Sequence, residues 1–498
     1  MEKEFQKTIG HAGIYSIGVI LNRAVSFLML PVYTRYLTPS DYGILEILEV
    51  TVDVVSIFTG MGILQGLFRY YYRYEEDKDK NELVSTLFIL IILFYASSCF
   101  LGGISSSKIS SLAFGTNKYR DYIFISFINL FLSFLIYVPL AYIQAKQKSG
   151  FFVVVSSIKL VIQLSLNILL VVYLGKGVLG VLYSTLISSL TIGGVLTFYT
   201  FFKVKWRFSR NKAAKLIRFG YPFIFSGLGA FILTYSDRYF LNYFNQLSNV
   251  GIYSLGYKFG FLLMTFPVRP LFNIWMVQRF EILAKRVNYE DVFNQFLSWF
   301  VIVTLSIALF ISLVVNDLLK IMSSPPFWDA YKIVPIILLA YFFQACTDFF
   351  NFGIHYSGKT KHIAYGTTLS AVLIIILSFL MIPKYGIFGA AWATLICFAI
   401  RLLYVYLASQ NLFRIGYKMG RPFATMIMGI GIFIIYAMIT RLTSIFDNIL
   451  ISFLFKIGLM TIFFTLLFAF HIIKMEERTF VFNLVRSPRK LFAVSKLN

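Results

Sequence analysis

The chain has 498 residues, of which 58% are hydrophobic, 18% aromatic and 13% charged, and its mean hydropathy is +0.77. Soluble globular chains carry about 25% charged and about 45 to 50% apolar residues. This composition therefore excludes a soluble enzyme, a nucleic-acid-binding domain and a disordered tail, although a formal charge of +23 would suit a nucleic-acid partner.

A helix needs roughly 20 apolar residues to cross a bilayer, and about fourteen such runs follow one another along the chain. They cover approximately 12–34, 42–68, 83–105, 121–143, 151–173, 178–202, 217–242, 250–277, 292–315, 332–356, 362–382, 387–409, 422–440 and 448–473. Met1–His11 carries Glu2, Lys3, Glu4 and Lys7, and no small-residue cleavage site follows the first span, so a removable signal peptide is not expected. With the N-terminus inside, about 29 Lys and Arg fall in inner breaks and about 9 in outer ones, the pattern of a multi-pass protein with both termini cytoplasmic. The densest break holds Lys203, Lys205, Arg207, Arg210, Lys212, Lys215 and Arg218 and reads as an orientation signal and linker touching anionic lipid. Cys99, Cys346 and Cys397 lie far apart inside spans, which suggests neither a disulfide framework nor a zinc site.

Laying the second half on the first reveals a repeat. Asp41-Tyr42-Gly43-Ile44 aligns with Asn249-Val250-Gly251-Ile252 at an offset of 208 residues. Gly177-Val178-Leu179-Gly180 with Thr185-Leu186-Ile187 aligns with Gly386-Ile387-Phe388-Gly389 and Thr394-Leu395-Ile396 at 209. Ala145-Lys146-Gln147-Lys148 against Gly358-Lys359-Thr360-Lys361 is a weaker match that needs a small insertion. An even number of spans per copy makes the repeat parallel, with its axis along the membrane normal, one of the standard designs of secondary transporters. The expected organisation is a first lobe at 1–203, a basic linker at 204–216, a second lobe at 217–410, and two further helices with a tail at 411–498. Pro31, Pro222, Pro267 and Pro270 break helices, and the last two predict a kinked or broken eighth span.

Ionisable groups inside the membrane cost at least about 2.5 kcal/mol at a helix centre, so they are candidates for function. The basic ones are Arg23, Lys159, Arg238, Lys258, Arg269, Arg401 and Lys456, of which Lys456 can snorkel or face a neighbouring helix. Lys258 and Arg269 are eleven residues apart, close to three helical turns, and with Arg238 they would form a basic wall on the second half. Glu46, Glu49 and Asp53 stack on one face of the second span. Two readings stand open: Arg23 and Asp53 pair to fix helix packing, or Arg23 binds an anionic substrate while a carboxylate takes a proton or cation. Asp237-Arg238 carries the same ambiguity. At the offset of 208 residues, Glu49 and Asp53 correspond to Tyr257 and Phe261, so the acidic stripe is not repeated.

Several motifs fail. Asp77-Lys78-Asp79 resembles a metal-binding DxD but sits in a run of alternating charges, and Ser156-Ser157-Ile158-Lys159 fits SxxK without its companion motifs. No dinucleotide-binding or Walker pattern occurs, and His11, His355, His362 and His471 lack metal spacing, so neither a cofactor nor a metal is expected. Short outer breaks leave little room for a catalytic loop.

The stretch Asn22-Arg23, Phe27, Leu30-Pro31, Thr34-Arg35, Leu37, Pro39 and Asp41-Tyr42-Gly43 resembles the start of bacterial polysaccharide flippases of the O-antigen and capsule type. Asp237-Arg238-Tyr239-Phe240-Leu241 resembles their second-half signature, and Tyr385-Gly386-Ile387-Phe388-Gly389-Ala390-Ala391 with Ala393-Thr394 the opening of their twelfth span. The resemblance implies the multidrug/oligosaccharidyl-lipid/polysaccharide exporter fold, two six-helix lobes plus two helices. It further implies export of undecaprenyl-pyrophosphate-linked repeat units across the bacterial cytoplasmic membrane by alternating access. Arg23 and Arg238 are the family-like positions. Together with Lys258 and Arg269 they are expected to bind the anionic head group, with Lys159 and Arg401 as secondary candidates. Glu46, Glu49, Asp53 and Asp237 are expected to couple an ion or pair structurally. Expected partners are the lipid-linked substrate, membrane lipids and polysaccharide polymerase machinery, without nucleic acid. The alternatives are a multidrug or cation exporter of the same fold and a membrane glycan polymerase or transferase.

Overall fold

The computed structural model describes residues 27–244, 246–285, 288–442 and 449–473, and every regular element among these is helical. The first half contains α1 (Leu30–Tyr36), α2 (Pro39–Thr59), α3 (Met61–Tyr71), α4 (Asp77–Ile104), α5 (Ser106–Phe114), α6 (Arg120–Ala145), α7 (Ser149–Asn167) and α8 (Gly177–Val204). The second half contains α9 (Arg210–Phe244), α10 (Leu247–Leu263), α11 (Arg269–Lys285), α12 (Tyr289–Met322), α13 (Val334–Phe350), α14 (Phe352–Tyr356) and α15 (Lys361–Leu412). Then follow α16 (Gly420–Leu442) and α17 (Ile449–Ala469).

Among the described residues eleven helices are long and apolar enough to cross a membrane, and the pair α2 and α3, bent by 45°, makes a twelfth candidate. At 1.5 Å per residue the 52-residue α15 would run to about 78 Å, against a hydrocarbon core of about 30 Å. Its backbone leaves the helical region at Gly386 (φ 55°, ψ −128°), which divides it into the eleventh and twelfth spans. Spans two to fourteen thus all have helical counterparts, whereas residues 1–26, most of the first span, lie outside the described residues. Outward-facing side chains such as Phe198, Phe225 and Ile427 are apolar and exposed, as expected of helices solvated by lipid.

The sequence motifs have local causes. Thr38 caps α2: its hydroxyl accepts from the Asp41 amide at 3.1 Å while the Asp41 carboxylate accepts from the Thr38 amide at 3.1 Å, and Pro39 begins the helix. Gly177 and Gly386, aligned by the repeat, share a positive φ of 54° and 55° at the turn into the last helix of each copy. Both bent spans break at matching positions. The second bends at Gly60, and the eighth passes through a π-helical turn at Met264–Val268 that contains Pro267, as its prolines predict.

Within the first half α6 packs on α4 and α8, and within the second α9 and α13 pack on α15. Between the halves α2 packs on α10, and α3 on α9. The α2–α10 contact is reciprocal: a methyl group at Gly43 would overlap the Leu247 carbonyl, and one at Gly251 would overlap the Pro39 carbonyl. Thr34 donates to the Met322 carbonyl at 3.1 Å, and its aligned counterpart Asn242 donates to the Ala113 carbonyl at 2.7 Å. Each contact maps onto its mate at the repeat offset, so a pseudo-two-fold axis passes between Gly43 and Gly251. At the other end of these helices Gly62 and Gly220 meet backbone to backbone, and the Arg69 guanidinium lies 4.7 Å from the Phe219 ring.

The basic break also makes contacts within the fold. Lys212 reaches Asp79 at 2.8 Å and Glu82 at 2.6 Å, and the Ser85 and Thr86 hydroxyls accept from the amides of Arg207 and Ser209. Asp79, half of the DxD look-alike, is thus a partner of Lys212 in the first turn of α9, which begins at Arg210, inside the stretch expected as a linker. At the C-terminal end, Lys456 on α17 pairs with Asp317 on α12 at 2.6 Å, and Ser452 donates to the same carboxylate at 2.9 Å. The pair is buried, which places Lys456 against a neighbouring helix.

Gly43→Ala and Gly251→Ala are each expected to lower the melting temperature of the detergent-solubilised protein, because the backbones must separate. Gly431→Ala, with open space around it, is expected to leave that temperature unchanged or raise it. Lys456→Met, which strands a buried carboxylate, is expected to cost about 3 to 5 kcal/mol. The double variant Asp317→Asn/Lys456→Met should recover most of the loss in the same melting assay.

Candidate functional site

Intramembrane charges gather in two regions. The first lies where the halves meet, on α2, α9 and α10. Lys258 pairs with Glu46 at 3.3 Å and sits 4.8 Å from the Tyr42 ring. Asp237 and Arg238 are each 1% exposed and pair with each other at 2.7 Å. Tyr253 donates to the second Asp237 oxygen at 2.5 Å, Arg238 donates to the Thr234 carbonyl at 2.7 Å, and its guanidinium lies 4.2 Å from the Tyr257 ring. Tyr239 and Thr51 share a hydrogen bond of 2.9 Å across the halves. These cations therefore have carboxylate partners and aromatic walls. Glu49 is exposed and Asp53 half-buried on the same face of α2, and neither makes an ion pair among the described residues. No three acidic, His or Cys side chains among the described residues converge closely enough to hold a metal ion. Arg23 lies outside the described residues, so its pairing with Asp53 does too.

The second region is a cavity of about 500 Å³ lined by second-half elements alone. The positions Arg269, Phe272, Met276 and Arg279 occupy one face of α11; Tyr341, Gln344 and Asp348 occupy one face of α13; Phe398 and Arg401 come from α15. The π-helical turn ahead of α11 sets the register that brings Arg269 to this cavity. Arg401 donates to the Gln344 side-chain carbonyl at 2.9 Å and to Thr367 at 3.1 Å. Arg279, 1% exposed, reaches Asn351 at 3.4 Å. The Nε donors of Arg279 and Arg401 have no hydrogen-bond partner among the described residues. Asp348 accepts from the Gln344 amide at 3.2 Å and lies in the field of Arg401, Arg269 and Arg279.

The expected basic wall is thus divided. Arg238 and Lys258 stand at the junction of the halves, whereas Arg269 and Arg401 line the cavity with Arg279. Lys159 is half-buried on α7, where the next two turns on its face carry Gln163 and Asn167, bonded to Thr185 and Ser184 of α8. Arg279 was missed because the eighth span was closed at residue 277; its spacing of ten residues from Arg269 would have placed both on one face. Asp348 was missed although Tyr341, Gln344 and Asp348 follow a three-then-four spacing.

Residues 11–267 match the family described as polysaccharide biosynthesis protein, about half of the chain. The chain belongs to that family. It is 23% identical over 403 residues to a protein of Haemophilus influenzae described as an uncharacterized membrane protein, covering 77% of this chain and 94% of the relative. Among solved structures it is similar to the lipid II flippase MurJ in an inward closed conformation, with a TM-score of 0.71 and 16% identity over 92% of this chain and 99% of that one. It is also similar to an inward-facing multidrug resistance MATE family transporter of the MOP superfamily, with a TM-score of 0.64 and 11% identity over 80% and 97%. The chain thus shares the all-helical fold of these two membrane proteins.

A double-variant comparison separates pairing from substrate binding at the junction. Lys258→Met leaves Glu46 without its partner and is expected to reduce both melting temperature and transport. If the pair is structural, Glu46→Gln/Lys258→Met regains most of both; transport that stays lost at restored stability would assign Lys258 to the substrate.

Proposed function

We propose that this protein translocates undecaprenyl-pyrophosphate-linked oligosaccharide repeat units from the inner to the outer leaflet of the bacterial cytoplasmic membrane, with both termini cytoplasmic. The observation that carries the reading is the cavity of about 500 Å³ whose lining includes Arg269, Arg279 and Arg401. A diphosphate offers several charged acceptor oxygens, and guanidinium groups match phosphate oxygens in bidentate geometry. The lipid tail stays in the bilayer while the head group moves. Membership of a polysaccharide biosynthesis family and the fold shared with a lipid II flippase support this reading.

On this orientation the Gly43–Gly251 contact lies near the outer surface and the Gly62–Gly220 contact near the cytoplasm, so alternating access means opening one while the other closes. A diphosphate carrying a charge near −2 and moving outward gains roughly 4.6 kcal/mol per 100 mV of inside-negative potential. That is enough to drive transport without an ion. Antiport of a proton or sodium through Glu49, Asp53 or Asp237 is the second reading, favoured by the exposed Glu49 beside Asp53 on the repeat-breaking acidic stripe.

Arg269→Ala, Arg279→Ala and Arg401→Ala are each expected to weaken head-group binding roughly ten- to hundredfold, the value of a hydrogen bond to a charged group. Export should fall and lipid-linked repeat units accumulate on the inner leaflet while the protein still reaches the membrane. Wild-type surface glycan in all three would overturn the assignment. Altered resistance to small toxic cations on deletion would favour a multidrug exporter, and sugar transfer by the purified protein would favour an enzyme.

A further inference from the structure

The cavity contains an acidic side chain of its own, Asp348. It stands in the field of Arg401, Arg269 and Arg279, and Gln344 lies between it and Arg401. The Gln344 side chain accepts from Arg401 at 2.9 Å through its carbonyl and donates to Asp348 at 3.2 Å through its amide. An aspartate contacting Arg401 directly would occupy the guanidinium fork. Held one amide away, it lowers the positive potential of the cavity without occupying the Arg401 fork. The groups that face Asp348 from other elements are Arg401 of α15 and Arg269 and Arg279 of α11, all basic; from its own helix they are Gln344 and Cys346.

We infer that Asp348 is a built-in counter-anion that sets the affinity of this cavity for a diphosphate low enough for the cargo to leave. The inference rests on the reading of the cavity as the head-group site. Three arginines without an internal anion would hold a multivalent anion too tightly for turnover, since a transporter must release what it binds. With Asp348 present, an arriving diphosphate is repelled by one carboxylate while it is attracted by three guanidinium groups. The repulsion falls with distance and with hydration of the cavity. Asp348 is thus a positioning and affinity-setting residue, and its removal changes binding in the direction opposite to loss of a ligand.

The test uses the full-length protein in lipid nanodiscs with inorganic pyrophosphate as the probe, titrated calorimetrically at fixed ionic strength. Asp348→Asn keeps the shape and still accepts from Gln344; it is expected to bind pyrophosphate on the order of tenfold tighter than wild type, while glycan export in cells falls. Asp348→Glu, which keeps the charge, should track wild type in both readouts. Binding by Asp348→Asn that equals or falls below that of wild type, with binding still weakened at least about tenfold by Arg279→Ala, would overturn this inference and leave the head-group site intact. Pyrophosphate binding by wild type that is indifferent to Arg279→Ala would overturn both.

Discussion

The close approach of Gly43 and Gly251 is the constraint on which the rest of the molecule depends. Two membrane helices can bring their backbones together only where neither carries a side chain at the contact, and here each glycine faces the carbonyl at the start of the other helix. Because the two are aligned by the repeat, this contact fixes the axis about which the halves are related. Thr38 and Asp41 pin the start of α2, Tyr42 packs on Phe327 at 5.9 Å, and Thr34 and Asn242 tie matching helix ends to matching carbonyls. The residues that carried the family resemblance, Pro39, Asp41, Tyr42 and Gly43, thereby acquire a mechanical role: they build one rim of the junction.

The partition of charge follows from that geometry. At the junction, where α2 lies against α10, a largely buried cation left without an anion would be costly. Lys258 and Arg238 accordingly have Glu46 and Asp237, with tyrosine rings completing their surroundings. Away from the junction the π-helical turn at Met264–Val268 moves the chain out of register and delivers Arg269 and Arg279 to a cavity. The same turn that the prolines announce separates the cations of the junction from those that line the cavity.

Much of this was legible in the sequence because its causes are local or periodic. Apolar runs near bilayer length gave spans two to fourteen, and two glycine-bearing anchors gave the repeat and its parallel sense. Pro267 located the break in the eighth span. Gly60 gave no comparable warning: only the three-dimensional arrangement shows that a Cβ there would meet the Tyr95 ring. Pairing was not legible either: the partner of Lys456 is 139 residues away, and that of Lys258 lies in the other half at a distance no spacing rule encodes. The cavity residues Arg279 and Asp348 obey helical spacing, yet only a three-dimensional arrangement shows that their faces converge.

The repeat conserves shape and not charge, and the asymmetry bears on mechanism. At the repeat offsets Arg269, Arg279 and Arg401 correspond to Met61, Tyr71 and Ile192, so the first half offers no guanidinium at any of the three positions. A head group bound as proposed is therefore held by one lobe, not clasped between two. On the proposed reading the lobes separate at either end without pulling the anion from its ligands, and the contacts that must open are those of the glycines and of Lys212 with Asp79 and Glu82. On that reading, binding and gating reside in different parts of the molecule. Changes in the cavity should then alter which anion is carried and how tightly, while changes at the rims alter how fast the lobes exchange; this separation is available to a two-fold scaffold only when its two copies have diverged in charge.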